Sequence, residues 1–527
     1  MYLPSLSRKV LSLYRRSLYL PLLIFFPAFL FLSSCVDMNV ENRNVPDTKD
    51  LLATSRDVLD HAGEAFRLWN NAINSYTGPA PAMAVMADQS TCSWSSAAMA
   101  DLSSEPRQVF NNDPSYAYAY ITRLFWQQSY ASLADVNDVL KRIDGEGMKI
   151  RDEEGKDVTG MVRAWCYFMQ GVTHGYLALI FDKASVVDWD TPVTSADYLP
   201  YPRVAAAALR FFDKASATLE ACGDFTLPAS YIQGATLDKE ALMRLINSFA
   251  ARVMIYTPRT AAETAAVDWE RVLTLARAGI VHDLNIRTDD DRWRDDLKLF
   301  GTYPGWMRID HRIINLMDHD YPSRWPDDNV SWNTPDGSDP EEAHSDDARL
   351  ASDFQYLSDN NFRPERGYYH FSHYRYSRYD PWLHEHWQGE VPTFLRWEND
   401  LMIAEALVRA RHDLAGAAAI LNAPDGARKA RGGLPDVAPA TDEEALETIF
   451  YERDVELILT QGGTSFFDMR RRDMLQAGTI LHFPVPGSEL QILGLPLFTT
   501  DGPHDRSRGC WQGYDGLISP PDTTCGK

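Results

Sequence analysis

Apolar residues recur along most of the chain at intervals that alternate between three and four positions. In residues 59–73 this spacing places Phe66 and Trp69 on one face of a predicted helix. Trp165 lies on a second such stripe, and both tryptophans are predicted to be core residues. The same spacing predicts helices at about 116–143, 162–179, 203–221, 242–256, 268–281 and 396–411. The pattern therefore favours a mainly helical protein.

A further helix in the C-terminal third has a recognisable start. Thr441 and Glu444 have the spacing of a capping box, in which each side chain can accept a hydrogen bond from the backbone of the other. This helix is predicted to run to about 460 and to end at Gly462-Gly463, because glycine commonly terminates helices.

Several predicted helices form consecutive pairs of helix–turn–helix size. Ala208, Phe212 and Ala215 match the Ala-x3-Phe-x2-Ala pattern of the second tetratricopeptide helix, although no period of about 34 residues persists. The pattern indicates degenerate tetratricopeptide-like helix pairs stacked as a short solenoid. An ordinary helical bundle is the alternative.

Helical periodicity disappears between about 284 and 395, where proline, aspartate, asparagine and aromatic residues become frequent. Residues 354–397 contain 13 aromatic side chains, so disorder is not expected there. We predict an irregular, loop-rich aromatic region with short strands. The acidic stretch 327–347 is expected to be a solvated loop. Oxygen ligands for calcium, there or at 289–291, are the alternative.

The N-terminal residues have the pattern of a secretory signal. Four basic residues precede a short apolar stretch at 17–32, which is shorter than the roughly 20 residues that a membrane-spanning helix needs. The sequence Leu-Ser-Ser-Cys then ends at Cys35 and resembles a bacterial lipobox. We therefore expect a lipoprotein signal at 1–34, lipid on Cys35 and a tether at 35–50. A signal anchor, or an ordinary signal with a chance cysteine, is the alternative.

Charge and motif content exclude several classes of function. A net charge of −23 argues against nucleic acid as a partner. The sequence has no CxxC, GxSxG, HExxH, Walker or GxGxxG motif. Cys510 and Cys525 lie in a Pro/Gly-rich C-terminal segment at 484–527 and are a possible disulfide pair in an exported protein.

Four stretches in the second half of the chain form a recognisable set of motifs. They are LRWE with LMIAEA at 395–406, LN with RKARGGL at 421–434, YERDVEL with FFDMRR at 451–471, and HFPVP with EL at 482–490. The set resembles the SusD/RagB family of outer-membrane nutrient-binding lipoproteins. Two departures from the family pattern are the residues 461–465, where Glu-Gly is usual, and a short insertion at 423–427.

The resemblance implies a fold and a domain plan. The fold is a right-handed solenoid of degenerate tetratricopeptide-like helix pairs with a loop-rich ligand-side face. The family domain would span 51–527, with the helix-pair core at about 51–283 and 395–472 and the loop-rich region at about 284–394.

The resemblance also implies a function. Family members are non-catalytic surface lipoproteins that capture a glycan, or in some cases a peptide, and deliver it to a SusC-like TonB-dependent transporter. The protein is accordingly expected in the outer membrane, anchored by lipid and facing the exterior, with no cofactor and no metal.

A dense set of charged residues in the motifs has two interpretations. The carboxylates could be an acid/base pair, or the charges could be ion pairs that join helices. The resemblance favours the structural interpretation. The residues expected to have this structural role are Glu405, Asn422, Arg453, Asp468, Arg470 and Arg471.

The candidate ligand-binding residues are aromatic and polar residues in predicted loops. A sugar presents an apolar C–H face and a rim of hydroxyls, which flat rings and polar side chains match respectively. The candidates are Asp88, Trp94, Tyr303, Trp306, Arg324, Trp325, Trp332 and Asn333. The alternative is that these rings fill a second core under long loops.

Other interpretations of the sequence remain open. His370, His373, His384 and His386 could hold a metal, although packing within an aromatic loop is simpler. A secreted glycoside hydrolase would need two carboxylates about 5–10 Å apart, and no strand-end carboxylate suggests such a pair. A protein-interaction scaffold would use the helical half as its binding face.

Overall fold

The structure is a computed structural model that describes residues 51–92, 96–104, 107–191, 197–322, 342–358 and 371–500. The described residues from Leu52 onward form one compact unit. The first helix begins at a capping box, because the Thr54 side chain accepts from the Asp57 amide at 3.2 Å while the Asp57 carboxylate accepts from the Thr54 amide at 2.9 Å.

Helices form most of the first half of the described chain. They are α1 (Ser55–Ile73), α2 (Ala80–Met86), α3 (Met99–Ser103), α4 (Tyr120–Leu140), α5 (Thr159–Ile180), α6 (Tyr201–Glu220), α7 (Lys239–Tyr256), α8 (Ala261–Ala265) and α9 (Trp269–Arg277). A π-helical turn extends α4 to Gly145, close to the predicted end at about 143. Trp69 and Trp165 are fully buried, as predicted.

The second half contains shorter helices and one further pair of long ones. They are α10 (Asp296–Thr302), α11 (His311–Met317), α12 (Arg349–Asp353), α13 (Asp380–His384), α14 (Arg396–Arg411), α15 (Leu414–Leu421), α16 (Ala427–Ala430), α17 (Asp442–Glu456), α18 (Thr464–Arg470) and α19 (Gly487–Ile492). Helices α10 to α13 lie in the region predicted to be irregular. They are too short to produce a periodic pattern in the sequence.

The predicted end of α17 at Gly462-Gly463 is wrong. The helix ends at Glu456, and two cations satisfy carbonyls at and beyond its end: Arg378 donates to the Glu456 oxygen at 3.0 Å and Lys298 to the Thr460 oxygen at 2.8 Å. Gly463 has a φ of 88° and instead precedes α18.

Strands are short and pair only in twos within the described residues. They are β1 (Ser90–Cys92), β2 (Lys183–Ser185), β3 (Tyr198–Pro200), β4 (Leu284–Thr288), β5 (Met307–Ile309), β6 (Phe354–Tyr356), β7 (Tyr374–Tyr376) and β8 (Gly389–Phe394). The antiparallel pairs are β1–β5, β2–β3, β4–β8 and β6–β7.

Packed helices build the core. Helix α1 packs on α4, α5 on α6, α7 on α9, and α14 on both α15 and α17. A large apolar cluster runs through most of these elements, and a smaller one joins α14, α15 and α17. The mainly helical fold with short strands is the class that the sequence predicts. No helix among the described residues is both long and apolar enough to traverse a bilayer.

Segments from opposite ends of the chain complete the fold. Asn112 donates to the Val485 carbonyl and accepts from the Gly487 amide, both at 2.9 Å. The Gln89 side-chain amide donates to the Ser465 hydroxyl, across 376 positions of sequence.

Candidate ligand-binding site

Four aromatic rings form a continuous stack at the C-terminal end of α10. Tyr76 stacks on Phe300 with ring centroids 3.5 Å apart, and Phe300 stacks on Trp306 at 4.0 Å. Trp306 stacks in turn on Tyr303 at 4.5 Å. We call these four residues the aromatic column. The structure thus brings the predicted candidates Tyr303 and Trp306 together.

The order of the stack determines which ring faces are free. Two rings with centroids 4.0 and 4.5 Å from the Trp306 ring would overlap if they lay on the same face, so Phe300 and Tyr303 lie on opposite faces. Both faces of Trp306 are therefore covered. Tyr303 is the terminal ring and is 41% exposed, so its outer face is the platform that the column offers.

Two buried arginines hold the backbone that presents Tyr303. Arg308 donates to the Pro304 carbonyl at 2.6 Å, and Arg375 donates to the Thr302 carbonyl at 3.0 Å. The turn is closed by a hydrogen bond from the Trp306 amide to the Tyr303 carbonyl at 3.1 Å. Because its backbone is held on both sides, the Tyr303 ring is preorganised rather than part of a loose loop.

Hydroxyl groups flank the other end of the column. Ser75 and Thr77, on either side of Tyr76 in sequence, share a hydrogen bond of 2.9 Å between their side-chain oxygens, and Thr77 is exposed. Such groups can pair with the hydroxyl rim of a polar ligand.

Most of the aromatic-rich segment packs internally. Trp382 donates to the Thr288 hydroxyl at 2.9 Å and is buried, and the small cavity beside it and Trp387 has a volume of only about 10 Å³. That cavity is large enough for about one water molecule and too small for a sugar. This part of the chain therefore belongs to the large apolar cluster of the fold, which includes Trp382.

One further ligand candidate, Asp88, does not join the column. Asp88 is buried, and its carboxylate accepts from Arg107 at 3.2 Å and from Gln476 at 3.3 Å, so it is a structural group in the interior. The other predicted candidates lie outside the described residues. They are Trp94, Arg324, Trp325, Trp332 and Asn333.

The structure describes three of the four histidines considered as metal ligands. His373 is buried and stacks on Tyr356, whereas His384 and His386 are exposed. His370 lies outside the described residues, as do Cys35, Cys510 and Cys525. Among the residues that the structure describes, no group of three or more histidine, cysteine or acidic side chains could hold a metal ion.

The charged residues of the motifs form buried ion pairs. Arg471 binds Glu405 at 2.6 Å and Asp468 at 2.6 Å, and Arg453 binds Glu405 at 3.3 Å. Burial alone would raise the pKa of Glu405, but the surrounding guanidinium groups, foremost that of Arg471, hold it well below its usual range. A general acid needs the opposite shift, so this carboxylate is unsuited to acid catalysis.

Arg470 and Asn422 stabilise the backbone. Arg470 donates to the carbonyls of Leu179, Tyr256 and Leu481 at 2.7–2.9 Å. Asn422 forms two hydrogen bonds of 2.8 Å with the backbone of Val437. These contacts are those of structural residues.

Sequence reasoning did not identify Tyr76, Phe300, Arg308 or Arg375 as parts of the site. Tyr76 is far from the others in the chain, and neither arginine belongs to a motif. Phe300 could have been recognised from the sequence, because Phe300, Tyr303 and Trp306 follow one another at intervals of three residues.

Comparison with known proteins supports the fold. No protein-family model and no curated protein matches the sequence. Among solved structures, a putative sugar-binding protein from Bacteroides vulgatus has a TM-score of 0.55 at 14% identity, over 86% of this chain and 98% of that protein.

Two further solved structures resemble the chain to a similar degree. A SusD-like carbohydrate-binding protein from Bacteroides vulgatus has a TM-score of 0.53 at 16% identity, over 81% of this chain and 84% of that one. Surface glycan-binding protein A from Bacteroides uniformis has a TM-score of 0.52 at 14% identity, over 85% and 98%. The protein therefore has the SusD-like fold that its sequence motifs indicate.

Proposed function

We propose that the protein is a non-catalytic binding protein that captures a glycan, with Tyr303 as the ring on which a sugar stacks. The observation that supports this most strongly is the aromatic column, whose exposed terminal ring is supported from behind by Trp306 and Phe300. An aromatic face matches the C–H face of a pyranose, and a held ring loses little freedom when it binds.

The neighbouring structures point to the same class of ligand. The three proteins described above are a putative sugar-binding protein, a SusD-like carbohydrate-binding protein and a surface glycan-binding protein. Their identity to this chain is low, so they support the ligand class and not a particular glycan.

The cellular setting is a further part of the proposal. The lipobox-like sequence ending at Cys35 supports a lipid anchor, and the SusD-like fold supports a place in the outer membrane, facing the exterior. There the protein would deliver its ligand to a SusC-like TonB-dependent transporter.

A binding screen tests the function. The mature chain from residue 36 onward is run through native gels that contain a panel of soluble polysaccharides, and hits are measured by calorimetry. We expect retardation by at least one glycan, loss of retardation in Tyr303→Ala, and near-complete retention in Tyr303→Phe, because phenylalanine keeps the ring.

Leu199→Ala is a matched control, since Leu199 is an exposed apolar residue of a different segment, β3. Retardation that Tyr303→Ala leaves unchanged would place the site elsewhere. Release of reducing ends from any bound glycan would contradict the non-catalytic assignment, and retention of peptides alone would replace the glycan with a peptide ligand.

A further inference from the structure

One buried turn in the C-terminal motif region contacts both segments that build the aromatic column. It consists of residues 457–463, between α17 and α18, and we call it the motif turn. The first segment of the column is the end of α1, which leads to Tyr76, and the second is α10, which carries Phe300. The motif turn therefore lies where it can fix how the two segments meet.

Asn74 joins the end of α1 to both other elements. It is fully buried, and its backbone carbonyl accepts from the Leu297 amide of α10 at 2.8 Å. Its side-chain oxygen accepts from the Gly462 amide of the motif turn at 3.0 Å, and its side-chain nitrogen donates to Asn70 at 3.3 Å. Tyr76 follows two residues later, so these bonds determine where its ring leaves the helix.

Lys298 makes the corresponding connection from α10. Its buried ammonium donates to the Thr460 carbonyl of the motif turn at 2.8 Å and to the Asp295 carboxylate at 2.6 Å. Asp295 is also the N-cap of α10, where it accepts from the Lys298 amide at 3.0 Å. The start of α10 is therefore bonded to the motif turn two residues before Phe300.

Close packing holds the middle of α10 against the same turn. A Cβ on Gly301 would overlap the Leu459 side chain, so this leucine packs directly on the α10 backbone beside Phe300. Leu459 has a φ of 56°, which a bulky side chain rarely adopts. Such a backbone persists only where the surrounding contacts determine its conformation. The motif turn is therefore a fixed support for α10.

These connections join distant parts of the chain. Asn74 and Gly462 are 388 positions apart, and Lys298 and Thr460 are 162 positions apart. No contiguous stretch of sequence could bring Tyr76 and Phe300 together in this geometry. The C-terminal motif region is thus needed to build a site whose rings come from elsewhere.

We propose that Asn74 and Lys298 are positioning residues for Tyr303, acting through the motif turn and the aromatic column. This inference rests on the proposed function of Tyr303 as the sugar platform. Asn74 sets the Tyr76 end of the column and Lys298 sets the Phe300 end, so the rings are stacked before a ligand arrives. Binding then costs little ordering of the site.

Near-UV circular dichroism of the mature chain reports the column without a ligand, because this signal depends on fixed packing of aromatic rings. The difference between a protein and its Trp306→Phe derivative isolates the contribution of Trp306. We expect this contribution to lose most of its intensity in Asn74→Ala and in the double variant Lys298→Met with Asp295→Asn. The double variant removes the bond to Thr460 without leaving a buried carboxylate unpaired.

Asn399→Ala is the matched control for Asn74→Ala. Asn399 is also buried, and its side chain accepts from Ser248 and donates to the Ala276 carbonyl, both at 2.8 Å. The control should lower the melting temperature by a similar amount and leave the Trp306 contribution unchanged. Affinity for the glycan found in the screen should fall about three- to tenfold in Asn74→Ala and stay at the wild-type value in Asn399→Ala.

Three results would overturn the proposal. The first is a wild-type Trp306 contribution in both Asn74→Ala and the double variant. The second is an equal loss in Asn399→Ala, which would indicate a general loosening of the fold. The third is wild-type glycan affinity in a variant whose spectrum has changed. Spectra are recorded well below each melting temperature, and the double variant decides the outcome if Asn74→Ala does not fold.

The spectra also separate this proposal from the proposed function, because they need no ligand. An absence of glycan binding, together with a Trp306 contribution that depends on Asn74 and Lys298, would refute the function of Tyr303 and support the positioning. Glycan binding that requires Tyr303 but not Asn74 or Lys298 would support the function and refute the positioning.

Discussion

Arg471 donates to both carboxylate oxygens of Glu405, at 2.6 and 2.7 Å, and neither side chain has any exposure to solvent. The pair joins the end of α18 to the middle of α14. Bidentate pairs of this kind are strong and directional, but removing one partner leaves the other charge buried without its counterion.

Arg471→Met is therefore expected to destabilise the protein by about 3–5 kcal/mol, because Glu405 and Asp468 lose a shared cation. Denaturant unfolding of the mature chain measures the change. Arg411→Met is the control, since its pair with Glu270 is exposed to solvent and should contribute little to stability. Equal changes in the free energy of unfolding for Arg471→Met and Arg411→Met would show that burial does not increase the contribution of the Arg471–Glu405 pair to stability.

Trp306→Ala should weaken glycan binding about three- to tenfold even though both faces of Trp306 are covered. The ring acts by holding Tyr303, so Trp306→Phe, which preserves a ring behind the platform, should restore most of the affinity. Calorimetry with the glycan found in the screen measures both, and circular dichroism confirms that the variants fold. Unchanged affinity in Trp306→Ala would mean that the stack does not position the platform.

Asp182 should make stability depend on pH. Burial raises its pKa from 3.8 to about 6, and Lys183 and backbone amides only partly offset this. The folded state therefore favours the protonated form, and that contribution to stability, complete below about pH 4, is lost as the pH rises through 6.

Asp182→Asn removes this ionisation. We expect the variant and the wild type to be similarly stable at pH 4 and the variant to be more stable at pH 7, by up to about 3 kcal/mol. Denaturant unfolding at a series of pH values measures the difference. Asp190→Asn, at an exposed position nearby in sequence, provides the control. A stability difference between Asp182→Asn and the wild type that does not change with pH would refute the raised pKa of Asp182.

Gly462 is required by close packing. A Cβ at this position would lie 2.2 Å from the Ile73 carbonyl oxygen, which cannot move without disturbing the end of α1. Gly462→Ala is expected to lower the free energy of unfolding by about 1–3 kcal/mol. At Gly223 an added Cβ meets nothing within 4 Å, so Gly223→Ala should leave the melting temperature nearly unchanged. Similar melting temperatures for the two variants would argue against the close contact.

The long helices could be predicted because one face of each is apolar over several turns. The stripe at 396–411 coincides with α14, and Trp69 and Trp165 occupy the core positions that their spacing indicates. The motif charges were also predicted as ion pairs, because the family resemblance favours a structural role over an acid/base pair.

The site was harder to predict because it depends on contacts between distant segments. Tyr76 and Phe300 are far apart in the chain but stack on each other in the fold, and no local pattern in the sequence links them. Asp88 was included among the ligand-binding candidates because it is a polar residue of a predicted loop. In the structure it is buried beside Arg107. Its burial arises from tertiary packing, which hydrophobic spacing does not report.

The hydrogen bonds of Asn112 to Val485 and Gly487 also constrain how the chain reaches its folded state. The polypeptide is made from its N-terminus, so Asn112 cannot form these bonds until more than 370 further residues have been added. In the same way, Arg252 cannot pair with Glu398 until 146 further residues have been added. Contacts of such long range close late and slowly. A chain truncated before residue 485 should therefore remain only partly folded, a property that suits the export proposed above.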